Sequence, residues 1–337
     1  MQHLEIMKEI FRYFVVLVFL LGKSLGDEPA LFLFGKEGKF GLIDRTGKVV
    51  VEPQFTWIRP FREGVAFVCV GGQRDPTAGA IGGKWGAVDA TGHMVIEPKY
   101  DKAVIFSEGL ACVKVDEKFG YVDKSGKVII EPQFEWAEAF REGLAAFKGF
   151  SKKGYIDKNG KIVIEPQFDE AYLFREGLAA AKKEGKYGFI DKTGGFVIEP
   201  KFDFAIEFSE GLGRVQLNGL WGFVDKTGSM VIDAALGDAL WFTDGLAPVY
   251  FNGKWGIIDK TGKFVIKPQF DSLGVYFEGL AMAKVEGLWG YVDKGGKFII
   301  KPKFSQAYEF RDGLAMVELR GKWHYIDKSG KIIWSSD

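Results

Sequence analysis

The sequence predicts an all-β protein built as an array of about nine three-stranded antiparallel meanders. Three observations carry this. First, an Asp-x-x-Gly element recurs at Asp44, Asp89, Asp123, Asp157, Asp191, Asp225, Asp259, Asp293 and Asp327. The first interval is 45 residues and every later one is 34. Second, short apolar runs alternate with glycine turns, and no stretch sustains a helical period. Third, every link between runs is too short for a helical crossover, so neighbouring strands should be antiparallel. The period alone does not set the class, because helical tetratricopeptide arrays share it.

At the N-terminus, Lys8 and Arg12 precede an unbroken apolar run, Phe14 to Leu21, and Ser24-Leu25-Gly26 offers a small-residue cleavage site. This is the layout of a signal peptide over residues 1–26, starting at Met1 or Met7. The run falls well short of the roughly 20 residues that a spanning helix needs, so no transmembrane span is expected after cleavage. With no cysteine near the cleavage site, a lipid anchor is not expected. Residues 27–337 should form one β domain, exported to the periplasm, the outer cell envelope or the exterior.

Within a unit, Leu178–Lys182 predicts a first strand, Glu184-Gly185 a turn and Tyr187–Ile190 a second strand. Asp191-Lys192-Thr193-Gly194 turns the chain again. Phe196–Ile198 predicts a third strand, stopped by Glu199-Pro200, since proline cannot donate to a ladder unless it lies on an edge. The aspartate of the second turn can accept a bond from the backbone two residues on, and the glycine supplies a positive φ. Calcium is the rival reading. Each loop offers a single carboxylate, usually followed by lysine, whereas calcium takes six or more oxygens.

In Trp221-Gly222-Phe223-Val224 neither strand face is polar, and the same holds for Val128-Ile129-Ile130. Both faces should therefore be covered by neighbouring units. The first strand carries small residues, as in Leu178-Ala179-Ala180-Ala181, and is placed innermost. The array is expected to be an open curved β-solenoid or propeller-like stack, with a closed β-propeller as the alternative. Propellers usually have four to eight blades. The last unit ends at Trp334 without Pro-x-Phe, as a cap would.

The combined text resembles the bacterial WG repeat, named for its Trp-Gly pair. It runs Gly-Lys-Trp-Gly-x-[Ile/Val]-Asp-x-x-Gly, then Val-Ile-x-Pro-x-Phe, then Phe-x-Glu-Gly-Leu-Ala. Trp85, Trp221, Trp255 and Trp289 carry the pair outright; Phe40, Phe119 and Tyr187 replace the tryptophan; Lys153 precedes one glycine; and Trp323 is followed by His324. The resemblance spans about residues 30–337. It implies β repeats with a binding or scaffolding role, and it brings no catalytic residues.

Composition narrows the function classes. Lys plus Arg and Asp plus Glu are both 45 and interspersed, so no nucleic-acid partner is expected. The glycines sit singly at turns, not in a phosphate loop. His3 lies in the leader, while His93 and His324 are far apart and suggest no triad. Acids such as Glu142 and Glu176 recur beside the same glycine, which favours turn chemistry over a glycosidase pair. No metal, cofactor or catalytic group is expected. Cys69 and Cys112 could form a disulfide or remain two buried thiols.

Function is sought where units depart from the repeat. An 11-residue excess near residues 71–82 predicts an exposed, mobile loop, whose charges are Arg74 and Asp75. Asp233–Gly237 replaces Glu-Pro-x-Phe, which should soften one junction. Trp57, Trp136 and Trp241 lie in the variable connection. The expected function is a non-catalytic scaffold for a protein partner. The alternative is a carbohydrate-binding module, which requires those three tryptophans exposed on one rim. An enzyme is the least favoured reading.

Overall fold

The computed structural model describes residues 30–75 and 79–336, so the leader expectation lies outside the described residues. Among them, all regular structure is β. The chain divides between Phe140 and Arg141 into two compact units. The first holds three antiparallel meander sheets and a small hairpin, and the second holds six sheets.

Seven of these nine sheets have four strands, not three. Glu170–Ala171, Ala179–Lys183, Lys186–Ile190 and Phe196–Phe202 hydrogen-bond in that order. In five of the seven the added strand is two residues of the connection, as with Glu170 opposite Lys182 and Ala171 opposite Ala181; in the other two it is Lys102–Ser107 and Phe204–Ser209, each broken by a register shift. A two-residue or interrupted strand offers no clean periodicity to detect. The Leu-Ala strand is consequently the second of its sheet, not the innermost. The sheets running from Phe32 to Phe55 and from Ala145 to Phe168 keep three strands.

The strand expected to stop at Glu199-Pro200 continues to Phe202. Proline is tolerated because this strand is the last of its sheet. Tyr187 pairs with Phe202 and Phe189 with Ile198, so Glu199, Pro200 and Lys201 arch over Gly188 alone. A Cβ on Gly188 would sit 2.3 Å from the Ile198 carbonyl oxygen and 2.8 Å from the Pro200 nitrogen. The glycine of the Trp-Gly pair is therefore a steric requirement of the arch. Where Asp233–Gly237 replaces the proline motif the arch persists, with Gly222 beneath Ile232 and Ala234 and Leu236 opposite Trp221. The expected softening has no counterpart in this geometry. In the last sheet His324 replaces the glycine. No proline follows, and His324 pairs directly with Ser335.

Packing follows the predicted apolar faces in part. Trp221, Phe223 and Val224 are buried, so the Trp-Gly strand is covered on both faces. The final strand is not: Ile129, Val197, Val265 and Ile299 stay exposed on its outward face, and Val128, at its start, is exposed as well. Between sheets of the second unit, the connection phenylalanine plugs onto the preceding sheet. Phe208 meets Phe189 at 4.8 Å between ring centroids, and Phe242 meets Phe223 at 4.9 Å. In one such core, Tyr187, Phe189, Ile198 and Phe202 pack with Phe208, Val215 and Val224 of the next sheet.

Candidate functional site

The recurring polar residues are engaged in two local devices. In the first, Asp191 Oδ1 accepts the Thr193 N–H at 2.8 Å, its hydroxyl at 2.6 Å and the Gly195 N–H at 3.3 Å. The Gly194 N–H closes the turn on the Asp191 carbonyl. The Thr193 hydroxyl first, then backbone donors, hold the Asp191 carboxyl below the usual carboxylate range. Asp44, Asp89, Asp225 and Asp259 are lowered in the same way by their threonines, and Asp123 and Asp327 by serines. No group of three or more His, Cys, Asp or Glu side chains among the described residues is arranged to hold a metal ion.

The second device joins one sheet to the next. Glu142 lies in the left-handed region, φ 51°, followed by Gly143 at φ 85°. A glutamate there costs about 1 kcal/mol, yet it recurs, and its carboxylate shows why. Glu142 accepts the Gly177 N–H of the following sheet at 3.1 Å and lies 3.3 Å from the Lys192 ammonium, which also donates to the Glu142 carbonyl. Glu176 repeats this with Gly211 and Lys226, and Glu210 with Gly245 and Lys260. In the first unit Glu63 does so with Gly109 and Lys124. The lysine that follows the turn aspartate, and the acid that precedes the Leu-Ala strand, are thus two halves of one inter-sheet link.

The candidate residues from the repeat departures are placed as follows. The stretch expected to be a mobile loop forms a hairpin, Gln73–Asp75 against Gly79–Ile81; Pro76, Thr77 and Ala78 lie outside the described residues. Gly79 lies against Trp57, so closely that a Cβ on it would be 2.8 Å from the ring. Trp57 also packs edge-on to Phe40 at 5.1 Å, and the exposed Arg74 places its guanidinium 5.0 Å from the Phe40 ring centroid. Arg74, Trp57 and Phe40 are therefore brought together, beside a half-buried Asp75. Trp57, Trp136 and Trp241 are each half-buried, not fully exposed. Trp57 and Trp136 stand two residues after Phe55 and Phe134, whereas Trp241 stands five after Leu236, so they occupy two different positions of the repeat.

Both cysteines are free and buried. Burial pushes each thiol up from its ordinary value. Cys112 donates toward the Ala137 carbonyl at 3.5 Å. His93 is exposed, while His324 is buried with Nδ1 2.8 Å from the Ser335 hydroxyl.

Two buried arginines had no place in the sequence reading. Arg59 stacks 4.8 Å from the Trp85 ring centroid, and burial pushes its guanidinium down to about 10. Arg214 stacks 4.7 Å from Trp221 and donates to the Ala239 carbonyl. The signal for Arg214 was present, since it stands where Ala180 and Met282 stand in other units. Both contacts are cation–π packing inside a sheet stack.

The model of the WG containing repeat matches the chain eight times, at residues 40–73, 85–119, 119–148, 154–187, 187–221, 221–255, 255–289 and 289–323. No curated protein matches. Among solved structures, a chain described as the eukaryotic initiation factor is similar at 11% identity and a TM-score of 0.62, over 91% of this chain and 96% of that one. The dihydro-heme d1 dehydrogenase NirN aligns at 12% identity and a TM-score of 0.48, over 93% of this chain and 75% of that one. Hsv2p of Kluyveromyces lactis aligns at 11% identity and 0.42, over 67% and 92%. At these identities the first likeness is one of fold alone, and the other two carry no argument.

Proposed function

Because the chain belongs to the WG containing repeat family, we propose that it is a non-catalytic binding scaffold, exported to the cell envelope or exterior, whose partner is a protein. One observation carries this reading. The acids that might have formed a catalytic pair, Glu142 and Glu176, each hold a glycine N–H and a lysine of the next sheet, so recurring polarity is accounted for by cohesion. Repeated sheets present equivalent outward positions in register, which suits a macromolecular partner. The leader motivates export. Fusing residues 1–27 to a reporter that works only after export should give activity; a reporter silent at the membrane and trapped in the cytoplasm overturns export. Cross-linking in envelope fractions should then yield a protein adduct, and its consistent absence overturns the scaffold.

The sugar reading is weaker, because Trp57 is already packed against Phe40 and Gly79. Glycan-array binding lost on Trp136→Ala and Trp241→Ala would reinstate it. For the arrangement of the units, an open curved array is proposed over a closed ring because propellers usually have four to eight blades and the nine meander sheets among the described residues exceed that number. Small-angle scattering with an elongated envelope is the expected result, and a disc-shaped envelope overturns it.

A further inference from the structure

The chain is neutral overall, yet its outward-facing last strands are not alike. Along Phe196–Phe202 and its turn, the exposed alternating positions are Gly195, Val197, Glu199 and Lys201. An acid stands at the position of Glu199 in each of the first six sheets: Glu52, Glu97, Glu131, Glu165, Glu199 and Asp233. In the seventh and eighth sheets, ending in Phe264–Phe270 and Phe298–Phe304, that acid becomes Lys267 and Lys301. Their exposed rows are Lys263, Val265, Lys267, Gln269 and Lys297, Ile299, Lys301, Lys303. The carboxylates on these two segments are Asp259 and Asp293, each of which caps its own turn. Lys260 and Lys294 answer Glu210 and Asp244. Of the other five, Lys263 lies close enough to Asp259 to help hold its carboxyl down and Lys303 rests 5.1 Å from the Phe304 ring centroid, while Lys267, Lys297 and Lys301 carry the outward charge.

The eighth sheet follows the seventh closely: a Cβ on Gly296, in the turn that starts the eighth row, would lie 2.9 Å from the buried Ile266 side chain of the seventh strand. Lysines four residues apart on a strand stand about 13 Å apart, with a solvent-exposed Val265 or Ile299 between them.

We propose that these two rows form a cationic face with apolar rungs that docks an acidic polypeptide segment, one whose carboxylates alternate with small apolar side chains. The proposal rests on the protein-scaffold reading and names the chemistry of the partner. Three features select a polypeptide. The apolar rungs are β-branched, not the large aromatic and leucine wedges that anchor a surface helix in lipid. The rows hold no arginine and no exposed aromatic on which a base would stack. The alternation of charge and branched side chain matches the period of an extended chain.

The test uses the full chain and a labelled acidic peptide whose every second residue reads glutamate, valine, glutamate in turn, with serine between, so that both types face one side of an extended chain, read by fluorescence anisotropy. Binding is expected, weakening with added salt and falling about tenfold or more in Lys267→Glu/Lys301→Glu. Those substitutions restore the residue of the other sheets, so folding should be kept. Lys267→Gln/Lys301→Gln should weaken binding less, and Lys127→Glu/Lys161→Glu not at all. Affinity unchanged by the first pair overturns the proposal, as does equal loss with the last pair. Tighter binding to phosphatidylglycerol vesicles or oligothymidylate than to the peptide also overturns it. A failure here with a protein adduct still formed in the envelope would leave the scaffold reading standing.

Discussion

At the residue scale, two glycines seven positions apart, Gly188 and Gly195, have opposite roles. Gly188 lies under the proline arch with backbone 2.3 Å from where its Cβ would be, whereas a Cβ on Gly195 meets nothing nearer than 3.6 Å. Gly188→Ala should cost about 3 kcal/mol or more, since backbone, not a flexible side chain, must move. Gly195→Ala should change stability by less than about 0.5 kcal/mol. Urea midpoints at constant m-value check both. Glutamates divide in the same manner. Glu184 and Glu176 both lie in the left-handed region, φ 52° and 54°. Glu184 is exposed on a hairpin tip, so Glu184→Asn should stabilise by about 0.5 to 1 kcal/mol. Glu176→Asn relieves the same strain but loses the Gly211 and Lys226 contacts, and should destabilise by about 1 kcal/mol. Equal signs for the two would contradict the inter-sheet link.

The turn aspartates also set a pH dependence. Their folded carboxyl values are depressed by the hydroxyl and backbone donors, so they stabilise the fold above the unfolded carboxylate value, about 3.9. That stability is lost as pH falls through the folded value. The urea midpoint should therefore be steady above about pH 5 and decline below about pH 4. Removing the hydroxyls with Thr193→Val, Thr227→Val and Thr261→Val should make the decline shallower. A decline equally steep in the triple variant would assign it to other carboxylates.

At the element scale, the last strand of each sheet explains the proline and glycine of the repeat together. An edge strand needs no donor on its free side, so proline fits; its bulge requires an unsubstituted residue beneath, so glycine follows. The final sheet is the internal control, since glycine and proline are lost together and His324 pairs flat with Ser335. His324→Gly alone should destabilise that sheet, because it removes the Ser335 contact and a buried ring without restoring an arch. Hydrogen exchange at Ile326 and Ile332 would report it as faster local opening, and unchanged protection would refute it. The stretch holding the paired strands Gln73–Asp75 and Gly79–Ile81 was expected as an exposed, mobile loop because glycine, proline and threonine dominate its text. Its strand pairing and the Trp57 ring lying against Gly79 are features its text does not encode, because Trp57 belongs to another strand.

At the scale of the whole molecule, an even charge count hides an uneven distribution. The proposed acidic-peptide face, with its predicted loss on Lys267→Glu/Lys301→Glu, emerges only once the exposed positions of equivalent strands are set beside one another. The sequence by itself determined the register, the all-β antiparallel class, the turn chemistry of the aspartates and the apolar faces of the Trp-Gly strand. Each of these depends on residues within a few positions of one another, where spacing and backbone preference suffice. Only the tertiary structure decided the fourth strand, the reason for the Trp-Gly glycine, the partners of the recurring glutamates and the outward row of lysines. A two-residue strand has no period. The Glu176 carboxylate finds its partners at Gly211 and Lys226, in the next sheet, and whether a strand residue faces water depends on what the neighbouring sheet covers. Those are properties of chain segments brought together in space, which local text does not encode.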